Sequence, residues 1–90
     1  MDRVAQYQAV QKEAIELFKR KTQYYGDGLF VFGPVGVIVK IGDKINRLSS
    51  VTKNKVSLVE NESIRDTLID LHNYSAMAIM LLDEDNKSEK

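Results

Sequence analysis

Val35-Gly36-Val37-Ile38-Val39-Lys40-Ile41-Gly42-Asp43-Lys44-Ile45-Asn46-Arg47-Leu48 is the stretch whose reading decides the fold. Its first half is dense in β-branched residues, which suit a strand. Its apolar positions Val35, Ile38, Ile41 (or Gly42), Ile45 and Leu48 recur every three or four residues, which suits a helix. One continuous period covers all fourteen positions, so the stretch reads as helix. Gly36 and Gly42 each cost that helix about 1 kcal/mol relative to alanine. Such glycines are tolerated where another backbone or a ligand comes close. The preceding Gly33-Pro34 is both a break and a helix start, because proline suits the first helical position.

Upstream, residues 2–24 read as a first helix, with Asp2 as its N-cap. Val4, Tyr7, Val10, Ala14, Leu17, Lys21 and Tyr24 form its stripe, and Ile15 and Phe18 broaden the apolar face. Tyr25-Gly26-Asp27-Gly28 ends it, since two glycines around an aspartate favour a turn with positive φ. Downstream, residues 49–61 read as a polar connection, with a short extended piece at Val56-Ser57-Leu58-Val59. A last helix is expected from near Asn61 or Ser63 to near Leu82. Its expected core stripe is Ile64, Leu68, Leu71, Ser75, Ala78 and Leu82. Met77 and Met80 lie off that stripe, so its second half is apolar on two sides and needs a second partner, either another subunit or the first helix. The expectation is an all-α fold, a small bundle of about three helices completed by oligomerisation. Residues 1–82 form its single domain and residues 83–90 a charged, flexible tail.

Ninety residues make one domain near the small end of what folds alone. Thirteen basic and thirteen acidic residues cancel, which gives no electrostatic case for DNA, RNA or an anionic membrane. The chain has no cysteine, and its one histidine, His72, cannot by itself build a zinc site. There is neither an apolar leader nor an apolar run of about 20 residues, so a cytoplasmic protein is expected.

Four clusters can carry chemistry. Glu62, Asp66 and Asp70 stand one turn apart, and like charges at that spacing cost a helix roughly 0.2–0.5 kcal/mol per pair. With the Asn73 amide they form an oxygen-rich edge that suits Mg²⁺, or salt bridges to Lys44 and Arg47. Glu13 and Glu16 form a second acidic edge; Glu16 and Arg20 also have the spacing of an ordinary helix pair. Lys44 and Arg47 suit phosphate, while Asp43 and Arg47 can simply pair along the helix. The turn at Tyr25 and Asp27 offers backbone N–H groups to a phosphate and an aromatic ring to a base, or is a plain helix cap. His72 reads as a packed, hydrogen-bonded histidine rather than a catalytic one.

Tyr25-Gly26-Asp27, Gly33-Pro34-Val35-Gly36, residues 40–48 and residues 62–74 together resemble the nucleotide-modification-associated domain family of phages and bacteria, over about Glu13 to Leu82. The resemblance implies a mostly helical domain associated with nucleotide metabolism. A more distant similarity is to MazG-type all-α nucleoside triphosphate pyrophosphatases, which hold Mg²⁺ on a Glu-x-x-Glu pair and a later Glu-x-x-Asp pair. Glu13-x-x-Glu16 matches the first pair. The second is not matched, because Glu62, Asp66 and Asp70 are four apart.

Three functions follow as expectations. The first is a nucleotide-binding protein acting as a Mg²⁺-dependent pyrophosphohydrolase. Its metal ligands would be Glu13, Glu16, Asp66 and Asp70, with Lys44 and Arg47 on the phosphates, Tyr25 and Asn73 on base or sugar, and Asp27 in the binding turn. The second is a non-catalytic protein that sequesters a nucleotide, such as a cyclic signalling nucleotide of host defence. The third is a protein–protein module. A homo-oligomer fits all three.

Overall fold

The computed structural model describes the backbone of residues 1–53 and 59–88 and the side chains of residues 1–50 and 64–86. The described backbone is three α-helices and one 3₁₀ turn, without strands: α1 (Arg3–Tyr25), the turn (Gly26–Phe30), α2 (Gly33–Lys53) and α3 (Val59–Ser88). The all-α expectation holds, and residues 35–48 are helical throughout. The extended piece expected at residues 56–59 falls largely outside the described residues, and Val59 already belongs to α3. The last helix runs on to Ser88 rather than ending near Leu82.

Local chemistry sets the boundaries. The Asp2 carboxylate accepts from the Ala5 N–H at 3.1 Å, satisfying one of the donors a helix start leaves unpaired. At the other end, Gly26 takes φ +57° and its N–H donates to the Thr22 carbonyl. A side chain there would be strained. Gly33, at φ +67°, redirects the chain into α2, with Pro34 following in the first turn.

α2 and α3 pack as an antiparallel hairpin, and α1 crosses one side of it. Val37, Met77, Ala78 and Leu81 form the buried core, with Phe18, Leu29, Phe30, Ile41 and Tyr74 packed around it. Phe18 and Phe30 meet edge to face at 6.4 Å between ring centroids, so α1 and the turn share one contact.

Two expected stripes are corrected. On α1 only Ala14 is buried, and every residue from 1 to 13 is exposed, including Val4, Tyr7 and Val10. The residues of α1 that bond to or pack on the rest of the chain, Glu13, Ala14, Phe18 and Lys21, all lie at or beyond its middle. On α3 the buried positions are Thr67, Ile69, Met77, Ala78 and Leu81, whereas Leu68 and Leu82 are about half exposed and Ser75 is exposed. A helix apolar on two sides does not reveal by period which side meets its neighbour. Here the row through residues 67, 70, 74, 77 and 81 is the one turned inward, with Met77 and Leu81 in the core and Asp70 paired to Lys44 along it.

Candidate nucleotide site

Asp70 sits between two cations from two different helices. Lys21 Nζ of α1 lies 3.1 Å from its Oδ1, and Lys44 Nζ of α2 lies 3.2 Å from its Oδ2. The three side chains are part-buried, so these contacts are screened less than surface pairs. The expected link between Asp70 and Lys44 is present. Lys21 also stands 5.7 Å from the centre of the Tyr74 ring, within cation–π range.

From this knot two hollows open, both bordered by Lys21. One, of about 360 Å³, is lined by Lys21, Tyr25, Gly28, Leu29, Lys40 and Tyr74. Its lining holds two lysines, two tyrosines and no acidic residue, and of the two lysines Lys21 already pairs with Asp70. Lys40 is exposed and has no ion pair among the described residues, so its charge is available to an anion. The other, of about 390 Å³, is lined by Glu13, Leu17, Arg20, Lys21, Asp66, Ile69 and Asp70.

The tertiary structure therefore gathers Glu13, Asp66 and Asp70 around one hollow, but with cations among them. Both Glu13 oxygens face the Arg65 guanidinium, with Nη2 at 2.7 Å from Oε1 and Nη1 on Oε2, in the fork geometry of a strong Arg–carboxylate pair. That guanidinium holds the Glu13 carboxyl below its usual 4.5, and Glu13 in turn raises Arg65. Glu16 points elsewhere, 3.4 Å from Lys19 on the helix surface, so it pairs with Lys19 rather than Arg20. Mg²⁺ wants several free oxygen ligands. Here the oxygens of Glu13 and Asp70 already face ammonium or guanidinium groups, and no three Asp, Glu or His residues among the described ones come together as a metal site. As arranged, this set does not fit Mg²⁺.

The residues expected at the nucleotide are dispersed. Tyr25 lines the cationic hollow. Asp27 is exposed in the 3₁₀ turn, and Arg47 is exposed on α2, three residues beyond Lys44. Asn73 faces α1, where its amide donates to the Ala14 carbonyl at 3.0 Å. His72 differs from expectation: its Nδ1 is buried with no hydrogen-bond partner among the described residues.

Sequence reasoning missed Lys21, Lys40 and Tyr74 as site residues. Lys21 carried a signal, since it occupies a position in the otherwise apolar seam of α1. A lysine placed there either bends away or meets an anion, and here it meets Asp70.

Residues 21–82 match the family model described as nucleotide modification associated domain 1. The matched span takes in Lys21, Lys40, Tyr74 and Asp70 and leaves out Glu13 and Glu16. No curated protein matches the chain, and no solved structure does. A match over more than half the chain places this protein in the nucleotide modification associated domain 1 family.

Proposed function

We propose that this protein binds a nucleotide in the hollow between α1, the 3₁₀ turn and the α2–α3 hairpin, and holds it without chemistry. The carrying observation is the lining itself: Lys40, which has no ion pair among the described residues, beside Tyr25, Tyr74 and the Lys21 that Asp70 holds at the edge. Ammonium groups suit phosphate, and phenol rings suit the face of a base. A volume of about 360 Å³ falls within the ordinary range of small-molecule sites. The occupied carboxylates of Glu13 and Asp70 favour holding over hydrolysis. A cyclic signalling nucleotide is one ligand of this class.

A second reading, Mg²⁺-dependent release of pyrophosphate, draws on the grouping of Glu13, Asp66 and Asp70 beside the same Lys21. It requires those acids to leave their present partners.

The deciding experiment incubates the full chain with canonical, modified and cyclic nucleotides, with and without Mg²⁺. Bound and released species are then chromatographed after the protein is denatured. The proposal expects an intact nucleotide to be recovered and Lys40→Ala to weaken its binding at least tenfold, as loss of a charge-assisted contact does. Mg²⁺-dependent monophosphate release would install the second reading. Failure of every nucleotide to bind would sink both.

A further inference from the structure

The α2–α3 hairpin has two sides. Lys40 and Tyr74 mark the side that carries the hollow and α1. On α2 the row Val37, Ile41, Lys44 faces α3, so helical geometry turns Ile38, Gly42 and Ile45 to the opposite side from Lys40. On α3 the row through Asp70, Tyr74 and Met77 faces α2 and α1, which turns Leu68, Ser75, Ile79 and Leu82 to that same far side. Ile38, Ile45, Leu68, Ile79 and Leu82 are each between 47% and 59% exposed. A β-carbon added at Gly42 would meet nothing within 4 Å. The far side is thus an apolar sheet of two helices, with small residues, Gly42 and Ser75, within it.

We infer that this face is where a second copy of the chain docks, hairpin on hairpin, to form an isologous four-helix bundle. Area supports the choice. The chain exposes 7081 Å², whereas a compact monomer of 10.2 kDa exposes about 5,300 Å². The surplus of about 1,800 Å² is shared between this face and the exposed first half of α1, and is about twice the ~800 Å² that each partner loses in a standard interface. Composition supports it too. The face is apolar and free of charge at the named positions, which is the character of obligate homodimer interfaces. The chain as a whole is neutral, so two copies do not repel. Gly42 gains a reason: a glycine in mid-helix costs about 1 kcal/mol relative to alanine, and it lets a facing helix come close.

The test is sedimentation equilibrium of the full chain and of Ile45→Glu/Leu68→Glu, with circular dichroism as the folding check. Both residues are half exposed in the single chain, so the change leaves intrachain packing largely in place. The expected result is a dimer, or an even-numbered assembly of dimers, for the unchanged chain. The double variant should dissociate at least 100-fold more readily with its helicity retained. If the variant loses helicity, Ser75→Cys decides, because the chain has no other cysteine. It should form a disulfide-linked dimer under mild oxidation, whereas Tyr7→Cys on the exposed first half of α1 should not. A monomeric unchanged chain, a folded double variant with an unchanged dissociation constant, or cross-linking through position 7 and not 75 would overturn the inference.

Discussion

The Asn73 side-chain amide donates to the Ala14 backbone carbonyl at 3.0 Å and so fastens α3 to α1 at the point where the two helices cross. Ala14 is the one buried residue of α1, and a larger residue there would push the carbonyl out of reach. Asn73→Ala should therefore lower stability by about 1 kcal/mol, the usual worth of such a bond. Urea denaturation measures this. Nucleotide affinity should fall less than in Lys40→Ala, because the Asn73 amide is committed away from the cationic hollow.

Asp70→Asn removes the anion that two part-buried ammonium groups share. The expected cost is about 1.5–3 kcal/mol, the range for hydrogen bonds to charged groups, read as a lower urea midpoint. The same change frees Lys21 at the edge of the hollow, so nucleotide affinity should hold or rise. A complete loss of binding would show that Asp70 itself touches the ligand.

The Glu13–Arg65 pair makes α1 docking depend on pH. Its folded carboxyl titrates below the usual 4.5, because Arg65 stabilises the charged form. Such a group adds stability that is present above the unfolded value and is lost as pH falls through the lowered folded value. The stability gap between the unchanged chain and Glu13→Gln should thus be open at pH 7 and closed well below pH 4.5. The gap should be small and shrink with added salt, since both partners are about half exposed. Parallel denaturation series at several pH values test this.

Gly36→Ala separates propensity from packing. Alanine is better than glycine in a helix by about 1 kcal/mol. At position 36, however, the new β-carbon would lie 2.5 Å from Phe32 Cβ, so the backbone must shift. A net loss of stability is expected; Gly42→Ala in a monomeric background should instead be stabilising. Thermal unfolding of the two variants side by side checks the contrast.

The sequence by itself determined the three helices and the ends that a cap or a glycine marks, whereas α2 runs on to Lys53 and α3 spans Val59–Ser88, into the stretches expected to be a connection and a tail. Asp2, Gly26 and Gly33-Pro34 act through local backbone chemistry, which neighbours along the chain settle. The period through Val35–Leu48 likewise overrode the β-branched character of its first half, because a face repeated over four turns outweighs single-residue preferences. What only the tertiary structure decided was which faces meet. Leu68 and Leu82 read as core and are half exposed, while Asp70, read as a metal ligand or a partner of Lys44, is part-buried between Lys44 and a Lys21 that the sequence did not link to it. Periodicity reports that a helix has an apolar side, not which neighbour takes it. The hollow shows the same division. Tyr25 was legible, since an aromatic beside a glycine turn announces itself. Lys21, Lys40 and Tyr74 come from three helices and mean nothing together until α1 crosses the hairpin. Their joint chemistry is a property of that crossing.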